Sequence, residues 1–158
     1  MRKELTAKHV DYETPMEIYL PLDKEFHFDI DLAANDKNKK CATFFSVEND
    51  GLKNDWRGQC WCNPPYGNKV LSAWVEKAWR ESQSGRATIV MLLPVHSNTD
   101  WWHTFCLKAE IRFLRGRPSF IRGDGNRQTP LFPLAIVIFR AKILKVAKHH
   151  TTAPCCKG

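Results

Sequence analysis

Apolar residues recur along this chain with two periods, and their alternation sets out an α/β order of elements. Thr14-Pro15-Met16-Glu17 has the form of a capping box with proline at the first helical position, which predicts a short helix reaching about Leu20 and stopped by Pro21. Phe26 to Leu32 then alternates apolar and polar side chains, the pattern of a strand ending at Asp31 and leading into Ala33-Ala34-Asn35. A further short strand is expected within Ala42 to Val47, ahead of the turn-forming Glu48-Asn49-Asp50-Gly51. Cys60-Trp61-Cys62 reads as another strand. Val70, Leu71, Trp74, Val75, Ala78 and Trp79 follow at helical spacing, with Gly85 as the C-terminal stop.

Ala87 to Pro94 is a continuous apolar run of strand length, as expected for a parallel strand covered on both faces, and this places it at the centre of the sheet. Ser97-x-x-Asp100 offers a second capping box before Trp101, Trp102, Phe105 and Cys106, an amphipathic helical pattern. Ile111 to Leu114 and Leu134 to Phe139 are the last strands. A Gly- and Arg-rich stretch and no helix lies between them, so they are expected to form an antiparallel pair at one edge of the sheet. The fold class is therefore α/β with a mostly parallel, nucleotide-type sheet. The organisation is a single compact domain over 1–140, with a loose polar start up to Asp11 and a basic, frayed tail over 141–158.

Composition narrows the partners. A chain of 158 residues has room for one core and little for a separate recognition module. The net charge of +7 favours a polyanion, since Lys and Arg gain affinity for phosphates by releasing counterions. Neither Cys60/Cys62 nor Cys155/Cys156 has the spacing of a zinc knuckle, so no metal is expected and the thiols read as reduced. The chain shows no secretory leader pattern and no apolar run of membrane-spanning length, so an intracellular protein without a membrane partner is expected.

The most informative chemistry is Asn63-Pro64-Pro65-Tyr66, placed where the Cys60–Cys62 strand gives way to Gly67 and the following helix. Ligands of open α/β sheets bind at such strand-to-helix corners. Two adjacent prolines fix φ and remove two N–H donors, which holds the carbonyls of Asn63 and Pro64 in one direction. An amide oxygen, fixed carbonyls and an aromatic ring suit a planar amine: the acceptors take its hydrogens and the ring stacks on its face.

Taken in order, Asp11-Tyr12-Glu13-Thr14-Pro15, Asp29-Ile30-Asp31-Leu32-Ala33-Ala34, Asp50-Gly51-Leu52 with Trp56, Asn63-Pro64-Pro65-Tyr66-Gly67 and Leu92-Leu93-Pro94 before Trp101-Trp102-His103 resemble the Dam-like DNA N6-adenine methyltransferases of bacteriophages and prophages. The resemblance continues through Gly116-Arg117 and Phe120 to the last strand. It implies a Rossmann-like class I methyltransferase fold, S-adenosylmethionine as methyl donor and the exocyclic amine of a flipped adenine in double-stranded DNA as acceptor. It also implies action in the cytoplasm of a bacterium or phage-infected host.

Carried over by position, Asn63, Pro64, Pro65 and Tyr66 are the catalytic residues. Thr14, Pro15, Asp31, Ala33, Ala34 and Asp50, with Asn63, take the cofactor positions. Many methyltransferases carry a Gly-rich F-x-G-x-G loop after the first strand; here that place reads Asp31-Leu32-Ala33-Ala34-Asn35 without glycine. Arg115, Arg117, Arg122 and Arg127, grouped with Arg112 in the Gly- and Arg-rich stretch, are the candidate phosphate contacts, and Ser97, Asn98 and Trp101 the candidate lining of the target pocket. A second copy of the chain is a candidate partner for gripping a duplex. The Asn63 corner alone also fits methyl transfer to RNA or to a protein glutamine, and the charge alone fits a catalytically silent nucleic-acid-binding protein. The ordered series of motifs favours the DNA enzyme.

Overall fold

The computed structural model describes residues 12–122 and 125–143; the polar start and residues 144–158 of the basic tail lie outside the described residues. Six strands form the main sheet: β2 (Ile30–Asp31), β3 (Thr43–Phe44), β4 (Gly58–Cys62), β5 (Ala87–Pro94), β6 (Glu110–Phe113) and β9 (Leu134–Phe139). Their spatial order is β3-β2-β4-β5-β9-β6. The first four are parallel, while β9 runs antiparallel to both β5 and β6. This bears out the mostly parallel sheet, the central place of Ala87–Pro94 and the antiparallel pair at one edge.

The strand β5 is buried along its whole length and its side chains divide between two layers. Ile89, Met91 and Leu93 face one core with Cys60, Cys62, Leu71, Trp74 and Val75, beneath helix α2 (Asn68–Gln83). Val90 and Leu92 face a second core with Tyr19, Leu22, Phe26 and Trp61, beneath helix α1 (Met16–Phe26). The period-2 alternation of a strand thus becomes a three-layer α/β/α arrangement. Gly85 takes φ 76° just beyond α2, the left-handed conformation that a helix stop of this kind requires.

Two elements depart from the reading of the sequence. Helix α1 does not stop at Pro21 but continues to Phe26. Pro21 lies on the exposed side, and its missing hydrogen bond costs about 3 kcal/mol. Burying Tyr19, Leu22 and Phe26 on the opposite side contributes roughly 1.5–3 kcal/mol each and outweighs that cost. For the same reason the strand expected over Phe26–Leu32 shrinks to Ile30–Asp31: Phe26 belongs to the helix, and Phe28 packs its ring against Tyr19 and Trp61 at 5.7 Å from each. The helix expected after Ser97 is likewise short, α3 (Asp100–Thr104), followed by a 3-10 turn at Cys106–Lys108.

A second sheet was not evident from the sequence. It consists of β1 (Tyr12–Glu13), β7 (Phe120–Arg122) and β8 (Arg127–Gln128) in the order β1-β7-β8, all antiparallel. The Gly- and Arg-rich stretch supplies two of its strands. Phe120 anchors it to the α1 side of the main core.

One glycine carries a steric requirement at the mouth of the sheet. A β-carbon at Gly51 falls 2.5 Å from the Leu32 carbonyl oxygen and 2.8 Å from the ring of Trp74. Neither neighbour is a flexible chain end, so Gly51→Ala is expected to lower stability by about 1–3 kcal/mol, as overpacking does, measured by chemical denaturation monitored at the tryptophans.

Candidate active-site cleft

The sheet changes direction between β2 and β4: after β2 the chain adds β3 on one side, then returns to place β4 on the other. Open α/β sheets hold their ligands at such a switch point, outside the carboxyl ends of the strands. A cleft of about 990 Å³ lies there. Its floor is Ala33 and Ala34 after β2, Phe45 after β3 and Asn63 after β4; α2 forms one wall through Lys69, Val70 and Trp74, and the small sheet contributes Phe120 and Gln128.

All four residues of the Asn-Pro-Pro-Tyr corner line this cleft. Asn63 Nδ2 donates to Thr14 Oγ1 at 3.1 Å, and Thr14 is 3% exposed. With its amino end on Thr14, the carboxamide has Oδ1, a pure acceptor, as its other end. The Tyr66 hydroxyl donates to the Leu92 carbonyl at 3.1 Å, and its ring meets Phe132 edge-on at 5.9 Å. Burial raises this phenol well above its ordinary pKa, so it stays neutral and keeps donating. The bond to β5 fixes the ring position while the ring itself remains part of the cleft wall.

The loop without glycine is organised by a carboxylate instead. Asp31 is 2% exposed and does not reach the cleft lining; Oδ1 accepts from Ala33 N at 3.2 Å and Oδ2 from Lys40 N at 3.0 Å. Both ends of the loop are thereby tied to one side chain. Burial pushes the Asp31 carboxyl up to about 6, against the opposing pull of these two N–H groups and the Lys40 charge. Asp50 does line the cleft, in a left-handed conformation at φ 47°. Its carboxylate is engaged by Leu52 N at 3.2 Å and by Lys53 Nζ at 3.0 Å. Fully buried Trp56 holds this turn, donating Nε1–H to the Gly51 carbonyl at 2.8 Å and stacking on Trp74.

Thr14 and Pro15 are buried beside the corner and are not among the lining residues. Thr14 does not cap α1: Pro15 is the N-cap and has no side-chain acceptor, while the threonine hydroxyl accepts from Asn63. Ser97, Asn98 and Trp101 also fall outside the lining, and the cap of α3 is Thr99, without a side-chain cap bond. This segment touches the cleft only at second hand, through the ring of His96, which lies against both Trp101 and the lining residue Phe132.

Arg115, Arg117, Arg122 and Arg127 are exposed around the small sheet, and Arg127 directly precedes the lining residue Gln128. Arg112 stands apart from them. Its guanidinium bridges Glu25 and Glu110 with contacts of 2.6–2.7 Å, and it holds Glu25 below the ordinary carboxylate range. Sequence reasoning missed Phe45 and Ser46, which follow a two-residue strand, and the segment from Gln128 to Phe132 that closes the cleft. Only the short-strand end at Phe45 left a signal that could have been followed.

A mostly parallel α/β sheet with the Asn-Pro-Pro-Tyr corner lining a cleft at its switch point is the architecture of a ligand-binding α/β protein. The sequence profile described as DNA N-6-adenine-methyltransferase (Dam) matches residues 3–152. The chain is 30% identical over 138 residues to the DNA N-6-adenine-methyltransferase of Haemophilus phage HP1, covering 83% of this chain and 79% of that protein. It is 34% identical over 94 residues to the DNA N-6-adenine-methyltransferase of Escherichia phage T1, covering 58% of this chain and 38% of that protein. The chain belongs to the DNA N-6-adenine-methyltransferase (Dam) family.

The buried carboxylate yields a pH signature. Folding raises the Asp31 pKa from 3.8 to about 6, so its protonated form is favoured in the native state; that contribution to stability is complete below about pH 4 and is lost as pH rises through 6. Protonation in turn removes an acceptor from one loop amide. The Ala33 and Lys40 amide resonances are expected to titrate together near pH 6, and Asp31→Asn should abolish the titration.

Proposed function

We propose that the protein transfers a methyl group from S-adenosylmethionine to the exocyclic N6 of an adenine flipped out of double-stranded DNA, on a class I methyltransferase fold. The observation that carries this reading is the placement of Asn63, Pro64, Pro65 and Tyr66 on the wall of one cleft at the switch point of the sheet. Membership of the DNA N-6-adenine-methyltransferase (Dam) family supports DNA adenine as the acceptor.

The residues present fit the donor. The cleft, at the upper end of the range for a single small-molecule site, has space for a nucleoside-sized group beside a purine. Ala33 and Ala34 offer backbone without bulky side chains, Phe45 an apolar face, and Asn38 and Ser46 polar edges. These residues, with the Asp50 turn, would hold the cofactor, which supplies a methyl already activated on a sulfonium.

The chain then has to position and polarise the amine. Asn63 Oδ1 and the Pro64 carbonyl accept the two amine hydrogens and favour a more tetrahedral nitrogen, bonds that strengthen as positive charge develops there. Tyr66, fixed by its bond to Leu92, supports the face of the base. No acid or base side chain is required, since the methylated amine loses its proton readily to water. The exposed arginines of the small sheet and its approach, Arg115, Arg117, Arg122 and Arg127, would contact DNA phosphates. On this reading the protein is a single domain acting in the cytoplasm, and no helix among the described residues is long and apolar enough to cross a membrane.

DNA from cells expressing the protein is expected to carry N6-methyladenine at defined sites when mapped at single-base resolution; transfer to RNA or to protein glutamine in its place overturns the assignment. In the same assay Asn63→Ala should cut turnover by about 10²–10³-fold, as the loss of a transition-state hydrogen bond does, with cofactor affinity in calorimetry nearly unchanged. Removing two phosphate contacts, Arg115→Ala with Arg127→Ala, should reduce the slope of log binding constant against log salt concentration by about two.

A further inference from the structure

We propose that Thr14 is a positioning residue that sets the orientation of the Asn63 carboxamide, and that the short strand just before it ties this amide to both the cofactor loop and the arginine-bearing small sheet. The proposal rests on the methyl-transfer reading above for its catalytic meaning, and on geometry for its existence.

A primary carboxamide has two nearly isosteric ends with opposite chemistry: Oδ1 only accepts and Nδ2 only donates. An amine that must give up two hydrogens is received by one end and repelled by the other. The useful rotamer is therefore half of a degenerate pair unless a neighbour distinguishes the ends. Thr14 is the neighbour: its hydroxyl oxygen lies 3.1 Å from Nδ2, 49 residues away in sequence, at a site 3% exposed where water competes little. Thr14 lies one residue before the N-cap Pro15 of α1, so the helix start makes no claim on this hydroxyl.

The strand just before Thr14 extends the effect. Glu13, one residue before it, receives Lys40 Nζ at 2.7 Å, and the Lys40 side chain is 4% exposed. Lys40 N is in turn held by Asp31 Oδ2 at the far end of the cofactor loop. On its other edge the strand pairs with β7, Tyr12 opposite Arg122 and Glu13 opposite Ile121, and β7 pairs with β8, Ile121 opposite Arg127. Three parts of the enzyme that lie far apart in sequence thus converge on residues 12–14. A shift of the small sheet is transmitted to Asn63 through the Thr14 hydrogen bond, and a shift of the cofactor loop reaches the same strand through Lys40.

The test compares Thr14→Val, which keeps shape and removes the hydroxyl, with Thr14→Ser, which keeps the hydroxyl, in the full chain. Two readouts are taken: the Asn63 side-chain NH₂ resonances, assigned by their loss in Asn63→Ala, and methyl transfer to adenine-containing duplex DNA. Thr14→Val should shift and broaden the Asn63 NH₂ pair and lower kcat by roughly ten- to a hundredfold, as expected when an orienting hydrogen bond behind a functional group is lost, with cofactor affinity within about twofold of the parent. Thr14→Ser should restore the resonances and most of kcat. Unmoved resonances in a folded Thr14→Val, or a Thr14→Ser as impaired as the valine variant, overturn the proposal. If the valine variant does not fold, Thr14→Ala takes its place under the same criteria. Should the parent chain transfer no methyl to DNA, the methylation reading falls while the NH₂ resonances still decide the role of Thr14.

Discussion

The parallel pairing of β2 with β4 is the constraint on which the site depends. Ile30 sits opposite Cys60 and Asp31 opposite Trp61, and Leu32 N continues the ladder to the Trp61 carbonyl at 2.9 Å. This register ends both strands at the same level, so that Ala33 and Asn63 emerge side by side at the floor of one cleft. A slip of one residue would exchange Trp61, which belongs to the α1 core, with Cys60 and Cys62, which belong to the α2 core. Burial of a tryptophan on one face and two thiols on the other therefore protects the geometry of the corner.

The loop after β2 shows how one backbone problem can be solved by different chemistry. A Gly-rich loop approaches a ligand closely because it lacks side chains. Here the loop is kept short-chained by Ala33 and Ala34 and held in shape by the buried Asp31 carboxylate, with an amide on each oxygen. Placing an ionisable group there has a consequence glycine would not bring, since Asp31 has been moved toward the physiological range by its own burial.

Charge in this protein falls into two settings. Arg112 and Arg140 converge on Glu110, and Arg112 also forks onto Glu25, joining α1 to the far edge of the sheet by a network rather than an isolated pair. Isolated surface pairs contribute about 0–1 kcal/mol, and it is the shared geometry that gives such a network more weight. The arginines around the small sheet are exposed, and Arg127 adjoins the lining residue Gln128. The clustering of Arg112 with Arg115, Arg117, Arg122 and Arg127 in the sequence conceals this division, because only the fold brings Arg112 next to Glu25 and Glu110.

Elements whose role follows from local periodicity were legible in the chain itself. The fully apolar Ala87–Pro94, the helical stripe from Val70 to Trp79 and the apolar run Leu134–Phe139 each announce their burial, and the prolines after Asn63 announce a rigid corner whatever surrounds them. Tertiary structure decided what depends on partners distant in sequence. Pro21 is carried through a helix because three neighbours bury against the sheet, Thr14 turns from a helix cap to the Asn63 amide 49 residues on, and Asp31 becomes a clamp inside the protein instead of a cleft residue. Side-chain hydrogen bonds and burial energies are set by whichever groups the sheet order brings within about 3 Å, and no pattern along the sequence encodes that distance.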